Sequence, residues 1–326
     1  MSVGLVLGSA IAPERLPGLA SLAEALGYEE LWFAEDYFFT GGISGAAAAL
    51  GATQRIPVGL GVVSAVVRHP ALLAMEIATI DRVHPGRLRA GIGLGVPAWL
   101  RQMGIKPRSP LSAMRECVTA VRALLDGEEL TTEGRCFRFD RVRLTYTPAS
   151  PVPLYMGVLA PKAMRMSGEI ADGNVLSVLS TPAYIRWARE RSAEGARDAG
   201  RSGPRALSTF AFFSVDRDGA RAKDELRESV AFYLAAGGRN ALTDAYGISD
   251  ELEAMLESGG SEAVAREMPA QWLEDLAVAG EPDECAVKIR RLLDAGADSV
   301  ALFPMPSERS DEMVRAGAAD VLPRLA

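Results

Sequence analysis

A chain of 326 residues with 48% hydrophobic side chains can build one large α/β barrel or two smaller domains. Its net charge of −7 argues against a nucleic-acid partner, because phosphate binding needs a basic face. Three scattered cysteines (Cys117, Cys136, Cys285) and two histidines (His69, His84) argue against a disulfide framework, a metal centre or a His-based triad.

The opening MSVGLVLGSA has no basic residues before its apolar run and no membrane-length segment, which fits a cytoplasmic protein with no membrane partner. Residues 3–8 read as a strand. Pro13 opens a helix whose buried stripe is Leu16, Leu19, Ala20, Ala23 and Leu26, with Gly27 ending it. Residues 30–34 form a second strand that runs into EDYFFTGG, and an Ala-rich helix covers 43–53. Residues 57–63 are apolar and β-branched but broken by Gly59 and Gly61; strand glycines mark close approach by another group. Pro70 then starts a helix, with Leu73, Ile77 and Ile80 at helical spacing. Residues 87–93 are a fourth strand, followed by the glycine-broken loop GLGVP and a helix over 110–125.

The rhythm then changes. Phe137, Phe139, Val142, Leu144 and Tyr146 alternate with polar residues, and Glu133-Gly134 signals a turn, so 129–149 reads as an inserted β-hairpin or two. Strand and helix alternate again over 152–158 with 161–171, and 173–179 with 182–199. A strand follows over 207–215. Residues 219–278 are helical in pattern but too long for one crossover, so they are expected to form an insertion that acts as a lid. A helix over 282–295, a strand over 299–303 and a last helix from about 310 complete the chain. Eight apolar strands, each followed by helical pattern, predict a (β/α)8 TIM barrel spanning 1–326 as a single domain with two insertions.

In such a barrel the chemistry sits at the carboxyl ends of the strands. Those ends are mostly small or apolar here, including Val63, Gly95 and Gly157; the carboxylates are Glu35, Asp36 and Asp216. A wide, weakly charged mouth suits a flat aromatic cofactor, which carries the hard chemistry itself. Ala160, Pro161, Lys162 and Ala163 open a helix whose free N–H groups suit an anion. His69 reads as a loop or capping residue, and Trp99 and Trp187 as packing or ligand-lining groups.

Four stretches add up to more: LWFAEDYF, RIPVGLGVVSAVVRHPALLAMEIATIDRVHPGRLRAGIGLG, VPLYMGVLAPKAMRMSGEIADGN and GEPDECAVKIRRLLDAGADSVALFP. Together they resemble the bacterial luciferase-like monooxygenase superfamily, and within it the coenzyme F420-dependent methylenetetrahydromethanopterin reductase-like branch. The resemblance implies a barrel binding coenzyme F420, or alternatively FMN, at its mouth. It implies a cis Gly61–Val62 bond bulging behind the ring, an acid at Asp36, and a phosphate-binding segment at residues 160–163. Many deazaflavin relatives have a histidine after the acid; Tyr37 stands there instead. The expected activity is hydride transfer to or from a small-molecule substrate. Asp36 handles the proton, Tyr37 donates a hydrogen bond, and Glu35 raises the pKa of Asp36 by like-charge proximity. An FMN-dependent monooxygenase is the alternative, and a non-catalytic ligand-binding barrel the third reading. Relatives pair through barrel helices, so the resemblance also implies a homodimer.

Overall fold

The computed structural model describes residues 2–325. Eight parallel strands close a barrel. They are β1 (Ser2–Leu7), β2 (Leu31–Phe33), β3 (Val58–Ser64), β4 (Leu88–Gly93), β7 (Leu154–Gly157), β8 (Gly173–Leu176), β9 (Ala206–Val215) and β11 (Ser299–Pro304). β9 pairs with both β8 and β11, and β11 with β1, which completes the ring. The remaining strands lie outside it. β5 (Leu130–Glu133) and β6 (Arg138–Val142) form a single antiparallel hairpin, turned where Gly134 donates to the Phe137 carbonyl. β10 (Val278–Gly280) adds a short parallel pairing to the far end of β9.

The helices follow from local sequence. α1 (Leu16–Ala25) and α2 (Gly42–Ala52) pack beside β1 to β3. α3 (Pro70–Val83) begins at a proline whose missing N–H costs nothing there, and His69 Nδ1 caps it by accepting from Ala71 N at 3.2 Å. It buries Leu73, Ala74, Ile77 and Ala78 against the sheet. Each large aliphatic among them contributes about 1.5–3 kcal/mol. α4 (Pro97–Gln102), α5 (Pro110–Leu125), α6 (Pro161–Ile170) and α7 (Pro182–Asp198) follow, each with proline in its first turn. Between β9 and β10 run α8 (Gly219–Asp224), α9 (Arg227–Gly237), α10 (Ala241–Tyr246), α11 (Ser249–Glu267) and α12 (Ala270–Leu276). α13 (Pro282–Asp294) and α14 (Ser310–Ala316) flank β11.

Two departures from the sequence pattern matter. The loop expected after β4 contains α4, whose six residues are too few to show a helical period. The expected helical insertion ends two residues early, in β10, a strand of three residues.

Side chains alternate between two cores. One lies between strands and helices; the other fills the barrel with Val6, Trp32, Tyr155, Phe210, Phe212 and Phe303 among others. Trp32 meets Tyr155 edge-on at 5.3 Å and Phe210 at 5.8 Å. These rings explain the β3 glycines. A Cβ at Gly59 would overlap the Trp32 ring, and one at Gly61 would lie 2.6 Å from Phe210. At the amino-terminal end the barrel is plugged by the Glu30–Arg89 ion pair and by a Ser299–Ser208 hydrogen bond of 2.8 Å.

Candidate active site

At the carboxyl ends of the strands lies a cleft of about 680 Å³. Its floor is Ala34, Gly61, Val62 and Gly157 from strand ends; its walls include residues of 94–114, of α9 and α10, and Ile248 and Leu276. That volume lies within the range of small-molecule sites. A larger, open groove of about 740 Å³ sits beside α8. Its lysine, Lys223, pairs with Glu274 and Glu284, and Arg227 pairs with Asp224.

The Gly61–Val62 peptide is cis, and the β3–β4 register shifts between Leu60 and Val63. Val62 then projects toward β4 and β7. Gly91, Gly93 and Gly157 leave room for it; a Cβ on Gly157 would sit 2.9 Å from Val62 Cγ1. Val63 faces away, buried between β3 and the helices, and does not line the cleft.

Three consecutive residues after β2 have three different fates. Glu35 is clamped: Arg68 donates two hydrogen bonds of 2.9 Å to its oxygens, and Gly42 N donates another of 2.9 Å at the start of α2. It borders the cleft, but as a neutralised carboxylate that ties α2 and the β3–α3 loop together. Asp36 has no cation. Ser9 Oγ donates to its Oδ2 at 2.7 Å. Burial pushes its pKa up, the Ser9 bond opposes this, and the charge of Glu35 adds to the rise. Tyr37 does not line the cleft. Its ring packs 5.9 Å from Trp99, and its hydroxyl stands over Gly95, where a Cβ would come within 3.0 Å. Gly95 has φ +94°, so glycine is required there on two counts. Burial raises the Tyr37 pKa.

Ala160 is the N-cap of α6 and supplies no side-chain cap, so free N–H groups remain at the helix start. Ala160 and Ala163 line the cleft. Pro161 and Lys162 are exposed and do not. A phosphate held there meets backbone and helix dipole, with no lysine inside the cleft. The uncapped helix start and the slot floored by Gly61, Val62 and Gly157 fit a flat, phosphate-bearing ring system.

The sequence reading did not single out Tyr233 or Leu179. Tyr233 of α9 enters the cleft and stacks edge-on to Phe212 at 5.1 Å; burial, then the charge of Asp36, raise its pKa. Its signal was the Phe232-Tyr233 pair in an otherwise mixed helix. Leu179 lines the cleft with φ 69°, a left-handed conformation unusual for leucine. No sequence pattern announces that. Asp216 lies outside the cleft, 3.2 Å from Arg221. Trp99 lines the cleft, whereas Trp187 stacks on Tyr184. The cysteines are all free: Cys117 and Cys285 buried, Cys136 exposed. Among the described residues no His, Cys, Asp or Glu cluster could hold a metal, and no helix is long and apolar enough to cross a membrane.

Residues 2–299 match the family described as luciferase-like monooxygenase. Over 287 residues the chain is 31% identical to the 5,10-methylenetetrahydromethanopterin reductase of Methanolobus tindarius, covering 86% of this chain and 87% of that one. It is 30% identical over 330 residues to the F420-dependent glucose-6-phosphate dehydrogenase of Nakamurella multipartita, covering 96% and 93%. The structure of the coenzyme F420-dependent tetrahydromethanopterin reductase from Methanopyrus kandleri superimposes with a TM-score of 0.87 at 24% identity, covering 100% of this chain and 99% of that one.

Proposed function

The chain belongs to the luciferase-like monooxygenase family and is an oxidoreductase of that class, and we propose that it uses coenzyme F420 to move a hydride to or from a small organic substrate at the barrel mouth. One observation carries this reading: a desolvated carboxyl without a cation, Asp36, faces a cleft floored by glycine, alanine and valine. The bound deazaflavin supplies the hydride chemistry. The backbone N–H groups at 162–163 hold its phosphate, and Gly61, Val62, Gly95 and Gly157 leave the space that its ring occupies.

Asp36 manages the proton. Oxidising an alcohol carbon to a carbonyl releases a hydroxyl proton besides the hydride, and ionised Asp36 accepts it. In the opposite direction protonated Asp36 gives a proton to the carbonyl oxygen that becomes the hydroxyl. Its raised pKa brings the two forms closer in population near neutral pH. Ser9 fixes the carboxyl's orientation through its hydrogen bond. α9 to α12 exclude water from above, and we read them as a lid over the site.

The test is a titration of the purified protein with coenzyme F420 and with FMN, following tryptophan fluorescence. F420 is expected to bind at least tenfold more tightly. Tight FMN binding without F420 binding overturns the cofactor assignment in favour of flavin chemistry.

We also read two copies of the chain as pairing through α3. Leu72, Met75 and Val83 are about half exposed or more on that helix, and Tyr146 is 69% exposed with its ring under Arg82. Light scattering that returns a monomer removes this reading. Residence in the cytoplasm belongs to the same proposal.

A further inference from the structure

Resting on the reading of the cleft as a deazaflavin site, we propose that its substrate is an uncharged, largely apolar molecule with a single hydroxyl or carbonyl oxygen, and that phosphate esters and carboxylates are rejected.

The wall chemistry carries this. Among the described residues, the charged side chains that line the cleft are Glu35 and Asp36. Glu35 is already neutralised by Arg68, and Asp36 is held by a neutral hydroxyl. Neither lysine, arginine nor histidine lines the cleft. An anion entering it would lose its hydration and meet a carboxyl instead of a cation. Burial of an unpaired charge is among the most unfavourable events in a protein. The start of α6, where free backbone N–H groups favour an anion, is taken by the cofactor's own phosphate in this reading.

The rest of the lining is mostly apolar, and the insertion's Asn240, Thr243 and Tyr246 have their polar atoms hydrogen-bonded within the insertion itself. The insertion contributes Phe232, Tyr246, Ile248 and Leu276, and the β4–α5 segment contributes Trp99 and Leu111. Phe232 is 50% exposed and Leu111 40% exposed. Apolar side chains left in water at the rim of a cleft are accounted for when an apolar ligand covers them. Tyr233 and the Ser9–Asp36 pair form a polar pole below this collar. A substrate oxygen at that pole, with its carbon chain lying along the collar, satisfies both halves. This separates the chain from its Nakamurella multipartita relative, whose name specifies a sugar phosphate.

The experiment titrates the chain loaded with deazaflavin with the secondary alcohols from 2-butanol to 2-octanol, and with glucose 6-phosphate. Binding is read from the deazaflavin fluorescence without turnover. The same titrations of the unloaded chain are read from tryptophan fluorescence, to which Trp99 in the cleft contributes. Affinity is expected to rise about three- to fourfold per methylene, independent of salt, with no saturable signal from the sugar phosphate. Phe232→Ala and Leu276→Ala are expected to weaken 2-octanol about tenfold while the Kd for deazaflavin stays within twofold, which also shows that the variants fold. A flat alcohol series, or glucose 6-phosphate binding more tightly than the alcohols, overturns the proposal. If the chain binds no deazaflavin, the cofactor reading falls, and the tryptophan signal still decides the substrate class by the same criteria.

Discussion

β2 is bracketed by acids, and its two ends treat them differently. At the amino-terminal end, Glu30 is 1% exposed and pairs with Arg89, and its Oε1 accepts from Trp32 Nε1 at 2.9 Å. At the carboxyl-terminal end Glu35 is equally well matched, by Arg68 and Gly42 N. Asp36, the next residue, has only Ser9. A buried carboxylate with a bidentate arginine is a finished interaction, its oxygens already taken by donors of the fold. A buried carboxyl with one neutral donor keeps its proton exchangeable. Glu30 and Glu35 are thus tied into the structure, while Asp36 is left without a cation and is the acid to which we assign the proton transfer.

That contrast is sharpest in turnover. Asp36→Asn preserves shape and the Ser9 contact but removes the proton site. It is expected to lower kcat by about 10²–10⁴, the range for a general acid–base group, while the Kd for cofactor changes only a few-fold. Loss of cofactor binding with kcat intact at saturation would make Asp36 a binding residue. The opposite experiment is Arg89→Ala, which strands Glu30 in the barrel floor. Breaking a buried pair from one side costs about 3–5 kcal/mol, readable in urea unfolding, and turnover per folded molecule should hardly change. Unaltered stability would mean that water reaches Glu30. Glu35→Gln lies between the two. It weakens charge-assisted bonds worth about 1.5–3 kcal/mol, and kcat is expected to fall less than tenfold. A kcat loss equal to that of Asp36→Asn would join the two acids into one catalytic unit.

Much of this was legible in the sequence. Apolar runs and proline-led helices give the barrel because both signals are local: period, proline position and glycine stops. The EDY segment pointed to the right strand end, and the glycines of β3 to a close approach. What approaches is Trp32, from the adjoining strand β2, and Phe210, from β9 across the barrel interior, a contact that exists only once the ring closes. The division of labour within EDY was not legible. Arg68 selects Glu35 and Ser9 selects Asp36, and both partners come from other strand ends. Tyr37 turned to support Gly95 and Trp99, and Lys162 turned outward, because side-chain direction depends on the tertiary backbone. Tyr233 escaped notice because the insertion's pattern says helix without saying which face meets the mouth.

The smallest expected effect is the dependence of stability on pH, and it tests the same contrast without substrate. The folded pKa of Asp36 lies above its unfolded value of about 3.9. Between those two values the native state holds more protons than the unfolded state, so stability falls as pH rises, by at most about 1.4 kcal/mol per pH unit. The contribution is fully present below the unfolded pKa and gone above the folded one. Asp36→Asn removes it. The wild-type-minus-variant difference in unfolding free energy should therefore fall as pH rises from the ordinary carboxylate range, then level off. Ser9→Ala should carry the fall to higher pH, because the hydroxyl that favours the ionised form is lost; Glu35→Gln should end it sooner, because a like charge is gone. Parallel pH profiles for wild type and Asp36→Asn would mean that burial places no demand on this carboxyl, and the proton-handling role would pass to Tyr233.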